Sequence, residues 1–344
     1  MPYHCRSHFV TAPDGTRVAY HTHLGAALEN GAEPRLASRP AVLLTNGIGT
    51  SENFWRFLVA DLEQDHCVVH WDYRGHGRSQ VSASGDYALR VQVEDLERIT
   101  EVMMAQGDGR PPHHVAFSMG VRVVLELYRR RPELVSAISF IAGSPGTPDP
   151  SAWPLPLPGG QDTLARAYRG LTPLVPHFTP LVHGLLESRL AYPLGRATGL
   201  LRARAPRADI LEFLRALRHM DLQAFWSMMR GLVEAPPCWD VLPTLRVPTQ
   251  IIAARDDLLV PLREMERLHE RLPAAPWWVV EDAGHAGMLE AGAEIAEVVR
   301  AFRRTWGGES ASDKLRAHGT SHTVRGATAT LEDPPGRSEP GAGV

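Results

Sequence analysis

Lysine is almost missing from this chain: of 36 basic residues only Lys314 is a lysine, and it lies near the C-terminus. The body therefore offers no amine for a Walker-type phosphate loop or a Schiff base. Cysteine is nearly as sparse. Cys5, Cys67 and Cys238 form an odd set with no CxxC pair and no zinc-like spacing, which fits a reduced, cytoplasmic setting rather than a disulfide framework. Nowhere do 18 apolar residues run uninterrupted, and the opening MPYHCRSHFVTAPDG has no apolar stretch of signal-peptide length, so no integral membrane association is expected. A formal charge of −3 and scattered arginines leave no basic surface suited to nucleic acid.

What is present is a 344-residue chain, 44% hydrophobic, able to bury a large core. Short apolar, β-branched runs alternate with helical patterns, the signature of a mainly parallel sheet covered by helices on both faces, an α/β fold. Strands are expected at Arg17–His23, Ala41–Leu44, Cys67–Trp71, His113–Phe117, Ala137–Ala142, Thr249–Ala253 and Trp277–Val280. The turn signal APDGT before Arg17 predicts an antiparallel ribbon at the start. Helices are expected at Asn53–Leu62, Tyr87–Gln106, Met119–Arg130, Leu262–Arg271 and Ala293–Trp306, the last apolar on one side at Ile295, Val298, Val299 and Phe302.

The alternation stops in the middle. Between Pro145 and Asp240 lie 13 of the 28 prolines and many aromatics, which predicts an irregular, mostly helical insertion whose clearest helix is Ala208–Met220. Residues 1–144 and 241–306 then form the two halves of one core, with 145–240 inserted between them. Residues 307–344 hold only Leu315, Val324, Leu331 and Val344 as large apolar side chains, so a disordered tail is expected.

The stretch VAFSMG, Val115 to Gly120, places a serine between a buried strand and a helix. Small residues at Ala116 and Gly120 let the helix fold back on the strand, lifting Ser118 to the tip of a tight turn. There the amide of Met119 belongs to a helix start, where N–H groups lack partners and negative charge is favoured. Taken alone, Ser118 could equally be a helix N-cap. A serine nucleophile needs a base and a group to orient the base. Downstream, IIAARDDLLVP ends a strand in two carboxylates, Asp256 and Asp257, and WWVVEDAGHAGMLE ends another at His285. Both lie at carboxyl ends of strands, where open α/β sheets place their sites.

Four stretches, LLTNGIGT, HWDYRGHGRS, AFSMGV and ARDDLLVP…DAGHAGMLE, in that order, make the chain resemble α/β-hydrolase-fold proteins of the lid-bearing serine esterase and lipase-like group. The resemblance spans about residues 9 to 306. It implies an α/β-hydrolase core with the insertion as a helical lid, and a catalytic triad of Ser118, Asp257 and His285. Pro261, four residues on, selects Asp257 through the family's D-x-x-x-P pattern, with Asp256 as the one-residue alternative. It also implies an oxyanion hole from the backbone N–H groups of Ile48 and Met119. Asn46 stands where the family often has His, its amide expected to hold the loop. Asp72–Ser79 is expected to be chiefly structural, His76 included, and the pairs His113/His114 and His4/His8 are assigned no function.

The expected activity is hydrolysis of carboxylic esters, lactones or thioesters through an acyl-enzyme, with no cofactor or metal. Its partner would be a small apolar or aromatic ester-like substrate under the lid; no oligomeric state is specified. The alternatives are a C–C bond hydrolase or cofactor-free peroxidase with the same triad, or a non-catalytic ligand-binding relative.

Overall fold

In a computed structural model the described residues are 5–23, 39–50, 52–147, 160–306 and 321–324. Nine strands form one sheet: β1 (Cys5–Thr11), β2 (Arg17–His23), β3 (Ala41–Thr45), β4 (Cys67–Trp71), β5 (His113–Phe117), β6 (Ala137–Ile141), β7 (Thr249–Ala254), β8 (Trp277–Val280) and β9 (Ser321–Val324). Their order is β1-β2-β4-β3-β5-β6-β7-β8-β9. β1 and β2 form the expected antiparallel ribbon, β2 joins β4 antiparallel, and every other pairing is parallel. The middle strands β4, β5 and β6 are buried at all five positions. That explains why they read as continuous apolar runs rather than alternating ones.

Successive residues feed opposite faces. Leu43, Val69, Ala116, Phe140 and Ile251 pack on one side with α2 (Leu89–Gln106), α3 (Gly120–Arg130) and α9 (Leu262–Arg271). Val42, Leu44, Val68, Val115, Phe117 and Ile252 pack on the other with α1 (Arg56–Leu62) and α11 (Gly292–Trp306). Each fully buried Leu, Val or Phe contributes on the order of 2 kcal/mol through apolar area removed from water, so both layers are held strongly. The chain leaves β3 for β4 on one side and then passes to β5 on the other. That reversal between β3 and β5 opens a crevice at their carboxyl ends.

Between β6 and β7 the described residues form α4 (Gly160–Leu171), α5 (Val175–Glu187), α6 (Ala191–Ala197), α7 (Arg207–His219) and α8 (Leu222–Glu234). The sequence predicted α7 to within a residue but not its companions, because prolines masked them. Pro176 lies in the first turn of α5, where a missing N–H is tolerated, and Pro180 lies inside it, where the bond back to residue 176 is lost. Residues 148–159 of the expected insertion lie outside the described ones. Leu164, Ala165 and Val233, with Tyr168 against them, give α4 and α8 a small core of their own. The ends of the excursion meet where the Cys238 N–H donates to the Pro145 carbonyl at 2.8 Å.

One expectation is corrected. Within the stretch taken as a disordered tail, Ser321–Val324 forms β9, parallel to β8. The physical reason is that the open edge of β8 offers backbone partners, so a segment can be ordered without a large apolar contribution. The rest of 307–344 lies outside the described residues. The helix expected at Asn53–Leu62 is split into a 3-10 turn, Glu52–Trp55, followed by α1. Among the described residues no helix is long and apolar enough to cross a membrane.

Candidate active site

The crevice between β3 and β5 is built around one turn. Ser118 follows β5 with φ +53°, in the left-handed region that a non-glycine residue enters at a cost of roughly 1–2 kcal/mol. Its N–H donates to the Ile141 carbonyl at 3.0 Å and its carbonyl accepts from Val121 at 3.1 Å, which hold the turn in place. A Cβ at Gly120 would stand 2.5 Å from the Thr45 carbonyl oxygen, so only glycine lets α3 start this close to β3. Ser118 does not cap that helix: the N-cap position is Met119, with no side-chain cap bond.

The serine hydroxyl turns instead to His285, Oγ to Nε2 at 3.0 Å. The other ring nitrogen, Nδ1, lies 2.8 Å from Asp257 Oδ2. Asp257 Oδ1 accepts the N–H groups of Leu259 and Val260 at 2.8 and 2.9 Å, so this buried carboxylate has both oxygens occupied. The three groups form a single chain from hydroxyl to carboxylate. It is satisfied when Ser118 donates to a bare Nε2 and the Nδ1–H donates to Asp257. Asp256 faces away and pairs with Arg202 at 2.9 Å, with about a third of its side chain exposed. Of the two neighbouring carboxylates, Asp257 is the one brought to the imidazole.

The loop after β3 closes the other side. An ideal Cβ on Gly47 would stand 3.0 Å from the Ser118 Cβ, so Asn46–Gly49 presses directly on the serine. Among the described residues no acceptor takes the N–H of Ile48 or of Met119. Asn46 holds the loop through its amide, as expected: Nδ2 donates to the Trp71 carbonyl at 2.6 Å and Oδ1 accepts from Trp55 Nε1.

Two further residues, one absent from the sequence reading and one read there as structural, also shape the site. Glu290 accepts the N–H of Gly284, beside His285, and the N–H of Arg202, each at 2.6 Å. Burial raises its pKa while these two bonds pull the other way. It thereby ties the histidine loop to the residues before α7. His76, expected to be structural, accepts the Gly49 N–H on Nε2 at 3.3 Å. Neither role shows as a pattern in the text, since each rests on individual side-chain bonds to backbone N–H groups, at Gly284 and Arg202 for Glu290 and at Gly49 for His76.

A metal fits poorly here. The one candidate group among the described residues, His21, His70 and Asp72, has ligand atoms within 4.8 Å of one another. Yet His21 is committed to Ser7 and Asp72, both at 2.9 Å, and its ring stacks on His70 at 4.4 Å and 18°. Nearly parallel rings cannot aim in-plane lone pairs at one ion. His113 bonds Ser139 and His114 bonds the Leu134 carbonyl, both inside the core. A groove of about 650 Å³, lined by Leu89, Val93, Glu126, Arg129, Gly231 and Asp240 among others, contains none of the residues around Ser118.

Comparison with known proteins gives a consistent picture. Residues 40–292 match the family model described as alpha/beta hydrolase fold. A protein of Pseudomonas savastanoi pv. phaseolicola named "Putative carbamate hydrolase RutD" is 29% identical over 258 residues, 74% of this chain and 89% of its own length. Two solved structures share the fold. A thermophilic esterase from Thermogutta terrifontis superposes with a TM-score of 0.65 at 18% identity, covering 87% of this chain and 98% of its own. A bromoperoxidase from Bacillus anthracis gives 0.67 at 15%, covering 87% and 100%.

Proposed function

Because the chain belongs to the alpha/beta hydrolase fold family, we propose that it cleaves carboxylic esters by serine catalysis, with Ser118 as nucleophile, His285 as general base and then acid, and Asp257 as the group that orients the imidazole. The observation that carries this reading is the unbroken relay Ser118 Oγ–His285 Nε2, His285 Nδ1–Asp257 Oδ2. Ser118 Oγ attacks the acyl carbon as its proton passes to Nε2. The proton then goes to the departing alcohol, leaving an acyl-serine that water releases by the same steps in reverse order.

The Ile48 and Met119 amides receive the oxyanion, and donors of this kind are worth about 3–4 kcal/mol each when lost. Helices α4–α8 act as a lid. What supports that role is their attachment to the carboxyl-end loops: Asn53 Nδ2 donates to the Asp209 carbonyl at 3.0 Å, Arg202 pairs with Asp256, and Phe225 and Leu217 pack on Gly49. An apolar acyl or aryl group suits such a roof. No step calls for a cofactor.

A second reading, carbamate hydrolysis, is favoured by the name of the Pseudomonas savastanoi relative. The same attack on a carbonyl carbon applies: the alcohol or phenol of a carbamate ester leaves with the proton held by His285, and water then releases carbamic acid from the carbamoyl-serine. Incubation with a fluorophosphonate probe, followed by peptide mass spectrometry, tests both readings at once. One adduct on Ser118 is expected, and its absence would remove the nucleophile from either. Turnover of p-nitrophenyl esters against aryl carbamates then chooses between them.

A further inference from the structure

The stretch Asp72–Ser79, dense with polar side chains, is only partly explained as a structural turn. Asp72 Oδ2 accepts the Arg78 N–H at 2.8 Å, and Arg74 grips Asp95 through Nε and Nη2 at 2.7 and 2.8 Å. Those bonds shape the loop. His76 is left over, because its imidazole reaches out of the loop and touches the segment that presses on Ser118.

That segment, Asn46 to Gly49, is held at both ends by the same few residues. At its start the Tyr73 hydroxyl donates to the Asn46 carbonyl at 2.7 Å. At its end His76 Nε2 takes the Gly49 N–H at 3.3 Å. Ile48, between the two anchors, has no acceptor for its N–H among the described residues. The imidazole is fixed in one tautomer: Nδ1 lies 3.1 Å from the Arg74 carbonyl, which can only accept, so Nδ1 carries the proton and Nε2 presents a lone pair. The ring stands edge-on to Tyr73 at 6.0 Å and 78°, with 3% of the residue exposed.

We propose that His76 is a positioning residue for the chemistry above, holding Gly49 so that the Ile48 amide stays aimed at the oxygen of a carbonyl attacked by Ser118. The inference rests on the serine-hydrolase reading for its catalytic meaning, but the anchoring itself is a property of the fold. Burial lowers the pKa of His76, opposed by its bond to Arg74 and by the charges of Asp72 and Asp221, so the ring remains a neutral acceptor around pH 7. The lid reaches the same point. Asp221 caps α8 through the Ala224 N–H at 2.7 Å, and its own N–H donates to the Gly75 carbonyl, next to His76, at 3.2 Å. Asp221 therefore ties the start of α8 to the loop that carries His76.

Two substitutions separate positioning from packing. His76→Phe keeps the ring volume and removes the acceptor; His76→Gln offers a carbonyl oxygen at similar reach. With a p-nitrophenyl ester, His76→Phe is expected to lower kcat roughly ten- to hundredfold with KM nearly unchanged, the loss typical of a displaced transition-state contact. Binding of a trifluoromethyl ketone, which mimics the tetrahedral adduct, should weaken by the same factor, and His76→Gln should recover most of both. Amide hydrogen exchange supplies a readout independent of turnover: Gly49 should exchange about tenfold faster or more in His76→Phe than in the parent. Unchanged exchange at Gly49, or equal kinetic loss in both variants, would overturn the proposal. Faster exchange with no esterase activity in the parent would instead count against the hydrolase reading and leave the anchor standing.

Discussion

Replacing Asp257 by asparagine is the sharpest test of the relay, because the structure dictates how the new amide must sit. Asp257 Oδ1 accepts two backbone N–H groups, from Leu259 and Val260, at 2.8 and 2.9 Å. An amide nitrogen in that position would face two donors, so the asparagine keeps its oxygen there and turns its NH2 toward His285. A donor opposite Nδ1 forces the imidazole into the other tautomer, with its proton on Nε2 facing Ser118. The base is then lost while every backbone bond survives. A wrong tautomer of this kind costs about 10⁴ in turnover, or roughly 5 kcal/mol of barrier. Asp256→Asn, one residue away, removes a pair with Arg202, each side chain about a third exposed, worth at most ~1 kcal/mol, about a fivefold change. Steady-state kinetics on a p-nitrophenyl ester, with thermal melts to show both variants folded, make the comparison. Comparable losses in the two variants, or a tenfold or smaller effect of Asp257→Asn, would refute the reasoning.

Two further outcomes follow from backbone strain and burial. Ser118→Gly relieves the left-handed conformation at φ +53°, so the variant should melt no lower than the parent, with a gain of up to about 1 kcal/mol, while ester turnover disappears; a clearly lower Tm would deny the strain. Burial also pushes the pKa of His23 and of His114 from 6.5 down to about 4. The unfolded chain therefore takes up protons at a higher pH than the folded one, so stability is complete above about pH 6.5 and falls as pH drops toward 4. The loss is roughly 3 kcal/mol for each histidine, visible as a shift of urea midpoints between pH 7.5 and 4.5; a flat profile over that range would contradict it.

The central sheet was legible because its strands are buried on both faces and leave continuous apolar runs: Cys67–Trp71, His113–Phe117 and Trp277–Val280 match to the residue. Ser118, His285 and Asp257 were legible because each ends or follows such a strand. The helices α4, α5, α6 and α8 were not, since prolines and an open apolar pattern hide a helix whose partners are other helices of the same segment. β9 escaped because a strand that joins an edge needs backbone partners more than side chains. His76 and Glu290 act through individual bonds to backbone N–H groups, and a one-dimensional text carries no period for that.

The bond between Cys238 and Pro145 closes the neck of the excursion between β6 and β7 at a point where the sheet is already complete on either side. Lengthening a loop whose ends are pinned costs little, about 0.6 kcal/mol for each doubling. Insertions at the outer turns of that segment are therefore cheap, whereas Arg202 and Asp221, which bond Glu290, Asp256 and Gly75, are bound to the rest of the chain. Growth of this excursion is thus easy to inherit, and change at its few ties to the sheet loops is not.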